Sequence, residues 1–294
     1  MIKKTKFFSL ITASLLAVSL LVTGCGGTTN QDTNGETPAG TNTGDSEEVV
    51  TLKVGATPVP HAEILELIKP DLEAEGINLE IKIFTEYALP NPAVDSGEID
   101  ANFFQHTPYL ETYTIDQGME LVSVGNVHIE PMGLYSKKIT NLDEINDGDT
   151  IAIPNDPSNG GRALLVLENA GLIKVKEGLG VKATVLDVVE NPKNLKFQEI
   201  EAAQLPRALE DAKITAAVIN TNFALEAGLN PADDAIVIED KDSPFANILV
   251  VQESRKDDPN IQKLFKALTS DKVRDFVEEE YEGSIVPAFY GLSS

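Results

Sequence analysis

The alternation of strand and helix signals restricts the fold of this 294-residue chain more than any other feature. Val50, Leu52 and Val54 alternate with polar residues, which is typical of a half-buried strand. Apolar residues between positions 64 and 72 have helical spacing, and a second alternating run occupies residues 77–83. Alternating strands and helices predict an α/β fold with a mostly parallel sheet and helices on both faces.

The pattern begins again in the second half of the chain. Two such units predict two lobes, with a ligand cleft beyond the carboxyl ends of the strands. Further strands are predicted at residues 99–104, 150–154, 183–189, 214–220, 236–239 and 248–251. Further helices are predicted as a short helix that Asn91 caps before Pro92, a helix opening at Thr107, helices at 161–170 and 206–212, and two helices within 258–281.

A secretory signal is predicted at the N-terminus. Three lysines precede an uncharged run at residues 7–22, which ends just before Cys25, the only cysteine of the chain. Small residues before this cysteine resemble a bacterial lipobox. We therefore expect a signal peptide at residues 1–24 and a lipid on Cys25 that anchors the protein on the extracytoplasmic face of the cell membrane. The alternative is a free thiol beside an ordinary cleavage site.

Composition narrows the class of partner. The segment 26–48 has no basic residue and no large apolar one, so residues 25–48 are expected to be a flexible tether. The net charge of −24 argues against a nucleic-acid partner, because phosphate binding needs a clustered basic surface. A single cysteine excludes a disulfide framework and any zinc site built from several thiolates. We expect a monomer.

Motifs of enzymes are missing from the sequence. It contains no G-x-S-x-G, H-E-x-x-H, P-loop or G-x-G-x-x-G pattern. His61, His106 and His128 lack metal-ligand spacing, although a zinc site using all three and an acid is conceivable. We therefore predict no catalytic residue, no metal and no cofactor, which leaves an extracytoplasmic hydrolase as a minor alternative.

Two segments at predicted strand ends could line a cleft. The run from Asp100 to Tyr109 includes Phe103, Phe104 and His106, and such a wall suits a flexible apolar or thioether side chain. Its alternative role is core packing. In residues 218–222, a strand-end Asn220 offers a donor and an acceptor to a zwitterionic head, or caps the next helix.

A third segment, residues 154–162, lies between a predicted strand and a predicted helix. Ser158 or Asn159 can cap that helix, and two glycines let a small anion approach its N–H groups. Arg162 in the first turn would oppose the helix dipole, so we expect it to hold a ligand carboxylate. The alternative is a surface arginine paired with one of the many acids. Together the three segments predict a receptor for a free amino acid.

At these residues the chain resembles the NlpA/MetQ family of lipoproteins, the methionine-binding components of ABC importers. The resemblance runs from about Leu52 to Phe289. It rests on several long collinear segments, which are residues 54–63, 100–109, 154–157 with Gly161-Arg162, 186–195, 204–207 and 217–221.

The resemblance implies a two-lobed periplasmic-binding-protein fold (type II) that closes on its ligand. It implies that residues 49–135 with 241–294 form lobe 1 and that residues 136–240 form lobe 2. The implied ligand-binding residues are Tyr87, Phe104 and His106 around the side chain, Arg162 on the carboxylate, and Asn220 and Asn247 around the α-amino and carboxylate groups.

The implied function is capture of L-methionine or a close derivative and its delivery to an ABC permease with its ATPase. Two alternatives remain at this point. One is a binding protein for methionine-containing dipeptides, which relatives accept, and the other is a surface adhesin or interaction lipoprotein without a transport role. Neither the residues nor the resemblance assigns a carboxylate to the ligand ammonium.

Overall fold

Two mixed β-sheets organise the chain in the computed structural model, which describes residues 49–240 and 244–289. The predicted signal peptide, Cys25 and the tether lie outside the described residues. Across the described ranges, no helix has both the length and the apolar character needed to cross a bilayer.

Thirteen strands occur in the described ranges. They are β1 (Val50–Ala56), β2 (Ile77–Ile83), β3 (Ala101–His106), β4 (Leu121–Ile129), β5 (Gly133–Tyr135), β6 (Thr150–Pro154), β7 (Lys174–Val175), β8 (Val188–Glu190), β9 (Lys196–Ile200), β10 (Ala216–Ile219), β11 (Val237–Ile238), β12 (Ala246–Gln252) and β13 (Val286–Pro287).

The same ranges contain nine α-helices. They are α1 (Glu63–Ala74), α2 (Pro90–Asp95), α3 (Thr107–Gln117), α4 (Pro157–Asn169), α5 (Leu205–Ala208), α6 (Thr221–Glu226), α7 (Pro231–Asp234), α8 (Pro259–Leu268) and α9 (Asp271–Tyr281).

The first sheet has the strand order β13-β4-β12-β3-β1-β2. β1 pairs in parallel with β2 and β3, whereas β12 pairs antiparallel with both β3 and β4. Alternate residues of β12 enter different cores, as expected for a strand with helices on both faces. Leu249 and Val251 pack with α1, α8 and α9, while Ile248 and Val250 pack with Val94 and Leu110.

The second sheet has the strand order β11-β5-β10-β6-β9. β6 pairs in parallel with β9 and β10, and β5 pairs antiparallel with β10 and β11. Ile151 and Ile153 face a core shared with α4, whereas Ala152 and Ile219 face an aromatic cluster with α6. Helices therefore cover both faces of this sheet as well.

The chain passes between the sheets twice. Residues 130–132 connect β4 to β5, and residues 239–245, of which 241–243 are not described, connect β11 to β12. The sequence assignment placed residues 133–135 with the first lobe, but β5 pairs within the second sheet.

Several predictions from the sequence are wrong in detail. Both sheets are mixed rather than mostly parallel, because β12 returns antiparallel into the first sheet and β5 into the second. Of residues 183–189, only the last two lie in a strand, β8, because Val185–Asp187 form a 3-10 turn with a capping box between Thr184 and Asp187. Asn91 does not cap α2, since its side chain bonds with Gln105 and Asn102.

The helix expected from Gly161 starts four residues earlier, at Pro157, with Asp156 as its N-cap. Arg162 therefore lies in the second turn, and its unfavourable position against the helix dipole does not arise. Gly161 is buried inside α4 where the loop around Val181 crosses the helix. A Cβ atom on Gly161 would lie 2.0 Å from the backbone oxygen of Val181.

Gly161→Ala should lower the free energy of unfolding by about 1–3 kcal/mol, because the loop must move to admit the methyl group. Alanine in a helix interior is otherwise better than glycine. Urea unfolding checks this, with Asn169→Ala on the exposed part of the same helix as a control that should be neutral or slightly stabilising. A Gly161→Ala variant as stable as the wild type would show that the loop does not restrain α4.

Candidate ligand-binding site

A cavity of about 320 Å³ opens where the ends of β3 and β12 meet the N-terminal ends of α4 and α6. Its lining residues are Tyr87, Phe104, Gln105, His106, Tyr109, Glu130, Asn159, Arg162, Asn220, Thr221 and Asn247.

All six residues proposed from the sequence resemblance line this one cavity. They come from distant parts of the chain, which are the loop before α2, strand β3, helix α4, the N-cap of α6 and strand β12. Register in the first sheet explains part of this grouping, since Asn247 is the β12 partner of both His106 on β3 and His128 on β4.

An aromatic wall forms one side of the cavity. The ring of Tyr87 lies 5.7 Å from that of Phe104 and 5.9 Å from that of Tyr109, measured between centroids. The Tyr109 hydroxyl donates to the Tyr87 carbonyl oxygen at 3.1 Å, and the Tyr87 hydroxyl donates to Asn222 Oδ1 at 2.5 Å. These bonds fix the rings in place and satisfy both phenols in an apolar setting.

Arg162 lies where both connections between the sheets meet. Its Nε donates to the two carboxylate oxygens of Glu239 at 3.1 and 3.2 Å, and its Nη2 donates to the backbone oxygen of Glu130 at 2.8 Å. The guanidinium carbon lies 4.2 Å from the ring centroid of Phe245. Within the described residues, Nη1 alone makes no hydrogen bond. Arg162 is thus both paired with an acid and buried, and it retains one nitrogen for a ligand.

Glu130 is a buried carboxylate beside this arginine. Its Oε1 lies 2.7 Å from His128 Nε2 and 3.2 Å from His61 Nε2, and its Oε2 accepts the Asn222 backbone N–H at 3.1 Å. Burial raises the pKa of Glu130, while His61, Arg162 and the Asn222 N–H act in the opposite direction. A cation beside this carboxylate would complete its charge balance.

The hydrogen bonds fix the histidine tautomers. His61 Nε2 faces two acceptors, Glu130 and Asn247 Oδ1 at 3.0 Å, so it carries the proton, and Nδ1 accepts from the Thr57 hydroxyl. His106 Nδ1 accepts the Tyr109 backbone N–H, so its proton is on Nε2 as well. His128 Nε2 donates to Glu130.

Burial keeps all three histidines neutral. It lowers the pKa of His61 from 6.5 to about 4, with His128 adding to the effect and Glu130 opposing it. Burial also lowers the pKa of His128 to about 3, and burial followed by the nearby Arg162 lowers that of His106 to about 3.

One group of candidate metal ligands occurs among the described residues. Single atoms of His61, His128 and Glu130 lie within 4.8 Å of one another, and His106 does not belong to this group. His128 Nε2 donates its proton to Glu130 and His61 Nε2 donates its proton to Asn247 Oδ1, so neither atom has the lone pair that a metal needs. The hydrogen bonds therefore explain the cluster as a holder for the carboxylate.

Asn159 does not cap α4, although the sequence suggested this role. Asp156 is the N-cap, and Asn159 Nδ2 donates to its carboxylate at 3.0 and 3.1 Å. Asn159 Oδ1 accepts from His106 Nε2 at 3.1 Å and from Asn220 Nδ2 at 2.9 Å. Asn220 is the N-cap of α6 by position, yet its side chain makes no capping bond. Its Oδ1 is buried without a partner in the described part of the chain.

Sequence reasoning missed five lining residues. Gln105, Tyr109, Asn159 and Thr221 lie in the three segments that the sequence places at a cleft, whereas Glu130 lies in none of them. Glu130 follows directly after strand β4, which was not predicted. A carboxylate and a proline at a strand end, after His128, was the available signal.

With this geometry in place, comparison with known proteins identifies the family. The sequence profile of the NlpA lipoprotein family matches residues 52–289. The chain belongs to the NlpA lipoprotein family. Among the curated relatives of this chain is the D-methionine-binding lipoprotein MetQ of Escherichia coli K12, which is 47% identical to it over 243 residues. The aligned residues cover 82% of this chain and 90% of the relative.

Solved structures of this family agree with the fold. A crystal structure of the methionine-binding protein MetQ aligns with a TM-score of 0.79 at 47% identity, covering 81% of this chain and 98% of the other. A nutrient-binding protein from Burkholderia cenocepacia bound to methionine aligns with a TM-score of 0.78 at 46% identity, covering 81% and 100%. This NlpA-family chain therefore has the two-lobed periplasmic-binding-protein fold, of α/β class, as the sequence predicted.

None of the three histidines of this NlpA-family protein should titrate between pH 5.5 and 8, because burial lowers their pKa values to about 3 or 4. Unfolded histidines take up protons near pH 6.5. The stability that the neutral rings contribute is therefore present above about pH 6.5 and is lost progressively as the pH falls toward about 3.

Proton NMR of the histidine ring resonances against pH measures this directly. A midpoint near 6.5 for any ring would contradict the buried neutral state. The acid-unfolded protein serves as the reference for ordinary imidazole shifts.

Proposed function

We propose that the protein binds L-methionine, or a close derivative, and delivers it to an ABC importer. The observation that carries this proposal is a single cavity with acceptors for an ammonium, donors for a carboxylate and an aromatic wall for the side chain. Relatives named for methionine binding, one of them solved with methionine bound, support it.

The polar end of the cavity suits an α-amino acid zwitterion. Arg162 Nη1 and Asn247 Nδ2 are donors without a partner among the described side chains, and they would hold the ligand carboxylate. The Glu130 carboxylate and Asn220 Oδ1 are acceptors that would take the ammonium. Glu239 already occupies one edge of the guanidinium, so the carboxylate contact is made through Nη1 rather than through both Nε and Nη2.

The apolar end suits a thioether. Tyr87, Phe104 and Tyr109 present ring edges and faces to the cavity, and a sulfur beside such rings gains about 0.3–1.5 kcal/mol per contact. Neutral His106 borders the same space without adding a charge. A flexible, unbranched side chain can follow this slot.

We also propose that the two sheets are the centres of two lobes that close around the ligand. His106 on the first sheet bonds with Asn159 near the second, and Arg162 contacts both connecting segments. Closure would remove water from the Arg162–carboxylate contact and so strengthen it. If each sheet is the centre of one lobe, the chain first passes from one lobe to the other at residues 130–132.

The remaining assignments follow from the sequence and the family. We propose a lipid on Cys25, an extracytoplasmic location on the cell membrane, and a permease with its ATPase as partners. Relatives are named as lipoproteins, which supports the anchor. We propose a monomeric binding protein without catalytic turnover, and its relatives are likewise named for binding.

Calorimetry with L-methionine, D-methionine, N-acetyl-L-methionine and methionyl dipeptides tests the proposed ligand. Free methionine should bind with a Kd well below ~1 mM, and N-acetyl-methionine should not, because its amide cannot supply an ammonium to Glu130. Absence of binding by methionine and by every methionyl peptide below ~1 mM would refute the proposal. Binding by a dipeptide alone would favour the dipeptide alternative.

Arg162→Ala should weaken methionine binding about 100-fold or more, and Glu130→Gln about tenfold or more, because each leaves one charge of the zwitterion without its partner. Arg207→Ala is the matched control, since Arg207 is exposed and outside the cavity lining. Circular dichroism and urea unfolding establish that each variant is folded. Wild-type affinity in a folded Arg162→Ala variant would exclude the carboxylate role.

A further inference from the structure

A chain of hydrogen bonds leads from the half-buried carboxylate of Asp156 to the cavity. Asp156 accepts two bonds from Asn159 Nδ2 and one from the Asn159 backbone N–H at 2.9 Å. Asn159 Oδ1 then accepts from Asn220 Nδ2 at 2.9 Å and from His106 Nε2 at 3.1 Å. None of these four side chains is exposed to solvent.

The chain has only one consistent direction. An ionised carboxylate is purely an acceptor, so Asp156 obliges Asn159 to turn its NH₂ group toward it. The carbonyl oxygen of Asn159 must then face the other way. Two donors meet that oxygen, and the His106 tautomer is fixed independently by the Tyr109 N–H. Reversing either amide would place oxygen against oxygen in a buried site, which costs a full desolvation penalty.

The last member of the chain is the one that meets the ligand. Because Asn220 gives its NH₂ group to Asn159, its Oδ1 is left facing the cavity, buried and without a partner in the described residues. An amide on its own offers either a donor or an acceptor at such a position. Here the acceptor is selected by Asp156, which is not a lining residue, acting through Asn159, which is one.

We infer that Asp156 and Asn159 are positioning residues that set the polarity of Asn220, so that the cavity selects an ammonium over a hydroxyl at the α-carbon of its ligand. This inference rests on the proposed function, because it takes an α-amino acid as the ligand. An ammonium only donates, whereas a hydroxyl donates and accepts. A fixed acceptor pair of Asn220 Oδ1 and Glu130 therefore favours the ammonium, and an amide free to turn would lose that preference.

The test compares L-methionine with its 2-hydroxy analogue, 2-hydroxy-4-(methylthio)butanoate, by calorimetry. Both ligands share the carboxylate and the thioether. In Asn159→Ala the Asn220 amide is released, and the preference for methionine over the hydroxy acid should fall about tenfold. Asp156→Asn should lower the same ratio in the same direction. A merely structural defect would weaken both ligands equally and leave the ratio unchanged.

Ser158→Ala is the matched control. The Ser158 hydroxyl donates to the same Asp156 oxygen at 3.1 Å but does not contact the Asn159 amide group. Its selectivity ratio should match that of the wild type. An unchanged ratio in folded Asp156→Asn and Asn159→Ala variants would overturn the inference, whether or not the affinities fall.

A second measurement needs neither a variant nor a ligand. In the wild-type protein the side-chain NH₂ protons of Asn220 and the Nε2 proton of His106 should show a mutual nuclear Overhauser effect, because both groups donate to one oxygen. An Asn220 NH₂ group without contact to this proton would mean that the amide is reversed, and the inference would fail. This readout separates the inference from the proposed function, which depends on wild-type methionine binding alone.

Discussion

The antiparallel insertion of β12 between β3 and β4 is the constraint on which the site depends. This strand returns from the second sheet and places Asn247 beside His106 on one neighbour and His128 on the other. The two segments that connect the sheets therefore leave the first sheet at adjacent strands. Arg162 contacts both segments at once, through Glu239 and the Glu130 backbone. The site that we propose for a small zwitterion lies at this junction, where charges of both signs are already buried.

Neighbouring side chains and backbone N–H groups determine where the cavity presents hydrogen-bond donors and where it presents acceptors. Three N–H donors surround the Glu130 carboxylate, and Asp156 orients the Asn159 amide. Glu130 is buried and Asp156 is half-buried, and removal from water raises the pKa of each. The neutral histidines supply donors without supplying charge. The cavity can thus present acceptors on one side and donors on the other, which distinguishes the two ends of an amino acid.

Sequence patterns predicted the elements that depend on local periodicity. The alternating residues of β1 and β2 and the spacing in α1 were read correctly, and all six residues implied by the family resemblance line one cavity. β4 was missed because Ser123, Gly125 and Asn126 interrupt its apolar pattern. Glu130 was missed for another reason: its environment is made by His61 and Asn222, which are distant in sequence, and no local pattern records such long-range contacts.

The place of β12 and β13 in the strand order also decides when the first sheet can form. Its central strand and one edge strand come from residues 246–252 and 286–287, close to the end of the chain. Until those residues are synthesised, β3 and β4 each lack a neighbour, and the contacts that join them span much of the sequence. Such non-local pairing slows folding.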